Sequence, residues 1–274
     1  MAINVTGRAY NDNAGTQNNL VGDDGWADTF YMTPEALILD TVNGGGGIDT
    51  VNYSNSQIGV QITLTDPTTK GGASGGYVEA DFVTTFYNSS TGSFQSINMH
   101  RTTETLKSIE NATGSNYNDV IKGNGSANVL RGLDGNDIID GRGGNDTIVG
   151  GGGHDTMTGG LGNDTFVFQH ASDGPMSAAT YYDMDTITDF VRGQDKIDLH
   201  ALVSETAGNH ALSYIDGGAF SGVAGQVNSV FTGYGWLVRA DLDGDRDADF
   251  QVLVHSSTDF EMHQHLQTSD FILA

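Results

Sequence analysis

A single apolar residue recurs every nine positions between Gly114 and Val167. Position eight of six consecutive nine-residue copies carries Ile121, Leu130, Ile139, Ile148, Met157 and Phe166. The neighbours of this residue are mostly β-branched or apolar, which predicts a short strand with position eight on one face and positions seven and nine on the other. Stacked copies would share one inward-facing apolar column, so the period indicates a repeat architecture.

The first half of each copy is rich in glycine and ends in an oxygen-bearing side chain. Position six carries Asp119, Asn128, Asp137, Asp146, Asp155 and Asp164. Glycine adopts positive φ freely, which suits a tight turn with inward-pointing carbonyl groups. Carboxylate and carbonyl oxygens together favour calcium over magnesium, and zinc would require histidine or cysteine ligands. A disordered glycine linker is the alternative, but a linker would not keep six copies in register.

The flanks contain further copies and some ordinary strand patterns. Asn43–Ser54 holds one more copy, with Asp49 before Val51, and Gly22–Met32 resembles a copy with one inserted residue, with Asp28 before Phe30. Residues 59–65 alternate like a strand, and residues 67–95 are expected to form irregular connections and strands. Residues 235–254 are expected to form two strands around an acidic turn.

That acidic turn has two interpretations. Aspartates alternate along it at positions 241, 243, 245, 247 and 249. An EF-hand loop would place its glycine two residues later than Gly244, so that motif is a weak match. A solvated hairpin turn and a peripheral calcium site both remain open.

The charge balance excludes several classes of partner. The 274 residues include 11 Lys and Arg against 35 Asp and Glu, for a net charge of −24. Nucleic acids and anionic membrane surfaces bind basic residues, so neither is an expected partner. No stretch reaches the ~20 apolar residues of a membrane span, and the N-terminus lacks the pattern of a cleavable signal. The absence of cysteine is compatible with the cytosol and with an extracellular protein stabilised by metal.

Four segments together resemble the C-terminal calcium-binding and secretion domain of serralysin-type metalloproteases, which other RTX exoproteins share. They are SIENATGSNYND, the six nonapeptides, DTITDFVRGQDKIDL, and DADFQVLV with SDFILA. The resemblance implies an all-β protein with a right-handed parallel β-roll, in which two copies make one turn. We expect a β-rich N-terminal region at residues 1–103, the roll at 104–168, and a C-terminal capping and secretion region at 169–274.

The resemblance also implies the ligands of several calcium ions, which lie between the loops of copies i and i+2 on the same edge. Asp119, Asp137 and Asp155 would line one edge, and Asn128, Asp146 and Asp164 the other, with a weak site at the uncharged Asn128. The full expected set is Asp49, Asp119, Asn128, Gly132, Asp134, Gly135, Asp137, Gly141, Gly143, Gly144, Asp146, Gly150, Gly152, Gly153, Asp155, Gly159, Gly162, Asp164 and Asp195.

The resemblance further implies export by a type I secretion apparatus that reads an uncleaved C-terminal signal. Relatives end in an aspartate followed by apolar residues, as Asp270–Leu273 does here before one extra alanine. We therefore expect a secreted, extracellular, non-catalytic calcium-binding protein that acts in matrix, adhesion or host contact.

Two other function classes are kept as alternatives. The first is an enzyme, either the tail of a protease, lyase or epimerase or a hydrolase built into residues 55–113. However, the sequence has no H-E-x-x-H, G-x-S-x-G or P-loop motif, and His263 with His265 would make a poor metal site. The second is a polysaccharide-binding module using Tyr181, Tyr182, Tyr234 or Trp236, although Trp236 is expected in the core.

Overall fold

The computed structural model describes residues 3–4, 9–11, 19–22, 27–31, 41–56, 59–64, 75–88, 93–174, 184–256 and 265–274. The chain divides into two compact units, residues 1–121 and 122–274. The predicted division at residues 103 and 168 remains a prediction. Among the described residues, no helix has the length and apolar character needed to cross a membrane.

The first unit contains mostly short parallel strands. One sheet has the order β1-β3-β5-β9-β8-β7-β11, and the other has the order β2-β4-β6-β10. The strands are β1 (Ile3–Asn4), β2 (Ala9–Asn11), β3 (Asn19–Val21), β4 (Thr29–Tyr31), β5 (Thr41–Asn43), β6 (Thr50–Asn52), β7 (Gln61–Thr63), β8 (Gly75–Asn88), β9 (Ser93–Lys107), β10 (Asn111–Thr113) and β11 (Val120–Lys122), which ends at the unit boundary.

A long antiparallel hairpin interrupts the parallel strands of this unit. β8 and β9 pair from Gly75 with Lys107 to Asn88 with Ser93. The sequence prediction of irregular connections with strands over residues 67–95 underestimated this element, because scattered Gly and Ser obscured a segment rich in Tyr, Phe, Val and Thr. Such residues favour extended structure once a partner strand lies beside them.

The second unit is a parallel roll closed by an antiparallel meander. One sheet has the order β12-β14-β16-β18-β23, and the other has the order β13-β15-β17-β22-β21-β20-β19. Its strands are β12 (Val129–Asp134), β13 (Ile138–Asp140), β14 (Thr147–Gly152), β15 (Thr156–Thr158), β16 (Thr165–Val167), β17 (Thr186–Phe190), β18 (Lys196–Asp198), β19 (Ser213–Tyr214), β20 (Gln226–Phe231), β21 (Trp236–Asp241), β22 (Phe250–Ser256) and β23 (Phe271–Ile272). Short 3-10 helices lie at Ala171–Asp173, His200–Glu205 and Thr268–Asp270.

Alternate copies pair with each other, so that two nonapeptides make one turn, as the resemblance implied. β12, β14 and β16 carry the even-numbered copies, and β13 and β15 carry odd ones. The parallel β-roll and its all-β flanks are therefore confirmed. The predicted hairpin around the acidic turn is also present, since β21 and β22 pair antiparallel.

Position eight of every copy is buried, as predicted. Its six residues have no exposed surface, and Phe30 and Val51 of the two upstream copies are equally buried. The cross-strand register continues each apolar column beyond the repeats. One column runs Leu130, Ile148, Phe166, Ile197 and Phe271, and the other runs Ile139, Met157, Ile187 and Val254.

The two sides of the strands predict a contrast in stability. Replacing the fully buried Ile148 with alanine is expected to lower the free energy of unfolding by about 2–5 kcal/mol, because it leaves a cavity in the column. Ile138 is 52% exposed, and Ile138→Ala should cost only about 1 kcal/mol or less, from reduced strand propensity. Urea unfolding in saturating calcium measures both variants. Equal losses would contradict the inward column.

Candidate metal centre

The loop aspartates are joined by a ladder of hydrogen bonds along each edge of the roll. In copies two, three and four, the backbone N–H of the position-six residue donates to Oδ1 of the position-six aspartate 18 residues later. The N···O distances are 2.7 Å from Asn128 to Asp146, 2.9 Å from Asp137 to Asp155, and 2.9 Å from Asp146 to Asp164. One carboxylate oxygen of each aspartate therefore ties two stacked loops together.

The ladder continues past the last nonapeptide. Asp155 N–H donates to Asp185 Oδ1 at 2.7 Å, and Asp164 N–H donates to Asp195 Oδ1 at 3.0 Å. Asp195 was predicted to belong to the site, whereas Asp185 was missed. The signal was present, because Asp185-Thr186-Ile187 repeats positions six to eight of the nonapeptide.

The other carboxylate oxygen is buried without a hydrogen-bond donor in several of these loops. This holds for Oδ2 of Asp146, Asp155, Asp164 and Asp185, each on a residue with 1% exposed surface. Buried polar atoms are nearly always paired, and an unpaired buried carboxylate is costly. These four oxygens therefore fit a cation-binding role.

Carbonyl oxygens converge on the same places. A Cβ built on Gly141 would collide with Asp146 Oδ2 and lie 2.6 Å from the Gly159 carbonyl oxygen. A Cβ on Gly132 would lie 2.5 Å from the Gly150 carbonyl oxygen and collide with Asp137 Oδ2. Position one must therefore be glycine, and the space beside it is lined by carboxylate and carbonyl oxygens. This oxygen-only environment fits calcium, which tolerates irregular geometry, better than zinc.

The loops have a repeated backbone shape. In copies three to six, positions two and four all have positive φ: Leu133, Arg142, Gly151 and Gly160 at position two, and Gly135, Gly144, Gly153 and Gly162 at position four. A Cβ on Gly153 or Gly162 would collide with the carbonyl oxygen 18 residues earlier. A Cβ on Gly151 or Gly160 at position two would collide with the carbonyl oxygen of Leu133 or Arg142 in the same way. Stacking thus requires glycine at both positions in copies five and six, whereas copies three and four carry leucine and arginine at position two.

The remaining predicted residues of these loops surround this framework. Asp134 is exposed at the end of β12, and its Oδ1 would lie 3.2 Å from a Cβ on Gly152. Gly143 forms an isolated bridge with Leu161, and Gly144 N–H donates to the Leu161 carbonyl at 2.8 Å. These residues shape the loops and stack them.

An equivalent ladder lies in the first unit. Asp28 N–H donates to Asp49 Oδ1, and Asp49 N–H donates to Glu110 Oε2, each at 2.8 Å. Gly45 and Gly47, at positions two and four of that copy, also have positive φ. Glu110 was not predicted, because it lies outside the nonapeptide pattern and 61 residues from its partner.

The carboxyl groups hold protons strongly in the metal-free fold. Burial raises the pKa of Asp146 to about 7, and the nearby Asp164 and Asp140 charges add to the effect. Burial raises the pKa of Asp155 to about 6, and burial with the Asp155 charge raises that of Asp185 to about 9. A cation must therefore displace protons from these sites.

The acidic turn forms a second group of carboxylates. Oxygens of Asp241, Asp243 and Asp249 lie within 4.8 Å of one another. Both oxygens of Asp241 accept backbone N–H bonds, from Gly244 at 2.6 Å and Arg246 at 3.1 Å. Asp249 Oδ2 accepts from Leu242 at 2.6 Å. These bonds give the carboxylates a turn-closing role of their own.

A shallow groove of about 550 Å³ lies elsewhere in the second unit. Tyr234, one of the aromatic residues considered for glycan binding, is 69% exposed and lines it, whereas Trp236 is buried as predicted. Tyr181 and Tyr182 lie outside the described residues, as does His263. The described lining of the groove consists of His154, Thr156, Met184, Thr186, Tyr234, Leu253 and His255.

The fold and the loops define a class of protein: a parallel β-roll of glycine- and aspartate-rich nonapeptides with oxygen-lined turns. A family model described as Peptidase M10 serralysin C terminal matches residues 102–273. The chain therefore belongs to this family and is an RTX-repeat protein.

Two solved structures are similar to part of the chain. Both are subunits of a mannuronan C5-epimerase from Azotobacter vinelandii. The AlgE6R2 subunit is 25% identical over 59% of this chain and 91% of its own, with a TM-score of 0.43. The AlgE6R3 subunit is 26% identical over 58% of this chain and 79% of its own, with a TM-score of 0.41. No curated protein gave a match.

The raised pKa values predict how the metal-free protein responds to pH. The folded state binds more protons than the unfolded chain, whose aspartates titrate near their ordinary pKa of 3.8. The stabilising contribution of these protonated carboxyl groups is thus fully present below about pH 4 and is lost as the pH rises through about 7 at Asp146 and about 9 at Asp185. Far-UV circular dichroism in chelator should show β structure decreasing as the pH rises, and Asp185→Asn should flatten the upper part. A signal that grows with pH in chelator would contradict this.

Proposed function

We propose that this protein is a secreted, non-catalytic calcium-binding protein whose roll folds when calcium fills its loops outside the cell. The observation that carries the proposal is the set of buried, unpartnered Oδ2 atoms of Asp146, Asp155, Asp164 and Asp185. These oxygens, with glycine carbonyls such as those of Gly150 and Gly159, are the groups that would hold the ions. Bound calcium would supply the positive charge that these carboxylates lack.

The charge of the chain supports coupling between metal binding and folding. At a net charge of −24, self-repulsion opposes the compact state until cations neutralise it. The free energy of calcium binding then becomes free energy of folding. A chain that stays unfolded at low calcium concentration suits passage through a type I secretion channel.

The C-terminal segment is consistent with export before folding. Asp270 is fully buried, and β23 pairs with β18, with Phe271 beside Ile197. In a secretion signal at Asp270–Leu273, Asp270 and Phe271 would therefore be buried in the folded protein and Ile272 and Leu273 half-buried. The whole segment would be accessible only in the unfolded chain. Calcium outside the cell would then fold the chain after it has been read.

The absence of catalysis is part of the proposal and has a defined rival. The matched family is the C-terminal part of a protease family, and the sequence carries none of the catalytic motifs examined above. The rival is a part or a small member of a secreted protease, lyase or epimerase.

Circular dichroism and calorimetry with and without chelator test the proposal. At neutral pH, where the chain is compared with and without chelator, we expect little β structure in chelator and a cooperative gain on binding several calcium ions. A chain already folded in chelator would contradict folding by metal and favour the enzyme, whose activity would then be sought on glycans.

A charge-removing variant tests whether the calcium that drives folding binds at the loop aspartates. Asp155→Asn keeps an oxygen for the Asp137 N–H but removes the charge that faces the ion. It should therefore raise the calcium concentration for half-folding about tenfold or more, which corresponds to a loss of calcium-binding free energy on the order of 1.4 kcal/mol. Asp247→Asn is the matched control, because Asp247 is exposed in the acidic turn. Equal shifts in the two variants would contradict the placement of the sites.

Saccharide binding is a second candidate function, favoured by the groove at Tyr234. Its described lining combines an exposed aromatic ring, two imidazoles and two threonine hydroxyls, and includes no carboxylate. Aromatic faces and hydroxyl groups suit the apolar and polar sides of a sugar ring, and an extracellular matrix would present such polymers.

Retention on immobilised polysaccharides, one neutral glucan and one polyuronate, tests this function in calcium. Tyr234→Ala should weaken retention about fivefold, since a ring contact contributes on the order of 1 kcal/mol. Tyr117→Ala is the control, because Tyr117 is exposed but does not line the groove. Unchanged retention of Tyr234→Ala, or no retention of the wild type, would contradict it.

A further inference from the structure

The loops of the roll are of two kinds. In an open loop, positions two and four have positive φ and the position-six carboxylate keeps one oxygen without a backbone donor, as at Asp146, Asp155 and Asp164. In a closed loop, a nearby backbone N–H of the same loop donates to the position-six side chain. The distinction decides where a cation fits, because a donor and a cation compete for the same oxygen.

The loop of the first copy is closed. Asp119 Oδ2 accepts the Ser115 N–H at 2.5 Å, and Oδ1 accepts the Ser115 hydroxyl at 2.9 Å and the Val60 N–H at 2.6 Å. Neither Ser115 nor Tyr117, at positions two and four, has positive φ. Both oxygens of Asp119 are thus already bonded to donors.

The second copy is closed in the same way. Asn124 N–H donates to Asn128 Oδ1 at 2.9 Å, and Asn124 Oδ1 accepts the Ser126 N–H at 2.9 Å. Neither Asn124 nor Ser126 has positive φ. The side-chain oxygen still lies next to its position-one glycine, since a Cβ on Gly123 would be 2.5 Å from Asn128 Oδ1. The oxygen occupies the place of an open-loop ligand, but a backbone donor takes the place of the ion.

Beyond the repeats, the loop before β18 is also closed. Asp195 Oδ1 accepts the Asp164 N–H at 3.0 Å, and Oδ2 accepts the Val191 N–H at 2.7 Å. Asp185, at the corresponding step of the other edge, keeps its Oδ2 without a donor. Along the edge that begins at Asn128, the loops of Asn128 and Asp195 are therefore closed, and the loops of Asp146 and Asp164 between them are open.

We propose that the loops of Asp119, Asn128 and Asp195 hold no calcium and that backbone N–H groups replace the ion there. The inference rests on the proposed calcium binding and restricts it to the open loops, although all three residues were expected as ligands. It also changes the explanation for Asn128: the closed backbone, and not the missing charge, excludes the ion. On the edge that runs from Asn128 to Asp195, the two closed loops are metal-independent ends between which the calcium-filled loops of Asp146 and Asp164 stack.

Ion counts by native mass spectrometry and calorimetry on the full chain test the inference. Asn128→Asp adds the negative charge but leaves the loop backbone closed, so this variant should bind as many ions as the wild type. Adding Asn124→Gly and Ser126→Gly to that change opens the loop and should add one ion. Asp195→Asn should leave the count unchanged, whereas Asp164→Asn should lower it, with circular dichroism in calcium verifying that each variant folds.

The possible results separate the two proposals. A gain of one ion by Asn128→Asp alone, or a loss by Asp195→Asn, would overturn the closed-loop inference and leave the calcium-binding function intact. No ion bound by the wild type would overturn the function, and the inference with it. A triple variant that folds and gains no ion would also overturn the inference.

Discussion

The structure depends on buried loop aspartates, whose negative charge must be neutralised by a proton or a cation. In each open loop, one carboxylate oxygen accepts a backbone N–H from the loop 18 residues earlier, and the other is buried without a donor. The first contact holds the loops in register, and the second destabilises the metal-free roll. A bare carboxylate in such a place either takes up a proton, as the raised pKa values of Asp146 and Asp185 indicate, or binds a cation. The same side chains therefore hold the stacked loops in register and make the stability of the roll depend on a bound proton or cation.

Glycine makes this arrangement geometrically possible. Position one must lack a Cβ because the carboxylate oxygen lies over it, and position four must lack one because the neighbouring loop's carbonyl lies against it. Where serine, tyrosine or asparagine stands at positions two and four, the backbone turns an N–H toward the side chain instead, as in the first two copies. The choice between a donor and a cation is thus made by the backbone conformation of the loop.

The apolar columns and the loops end differently. Both columns continue through Ile187 and Ile197 into strands outside the nonapeptides, so the hydrophobic core does not stop where the repeats stop. On the loop side, Asp189 binds the N–H groups of Gly159 and Gly160 with its two carboxylate oxygens, at 2.9 and 2.8 Å. Protein groups from outside the repeats thus complete the last turn of the roll.

Sequence alone determined the nine-residue period, the inward column at position eight and the aspartates at position six, because each follows from local spacing and side-chain chemistry. The parallel roll was implied by the resemblance to the serralysin C-terminal domain. Tertiary structure decided which residues continue the ladder beyond the nonapeptides. Asp185 joins the ladder across 30 residues and Glu110 across 61, and nothing in their immediate neighbours sets those distances. The length of β8 and β9 likewise depends on their pairing. A repeat can be recognised from neighbouring residues, whereas contacts such as those of Asp185 and Glu110 form only when distant segments meet.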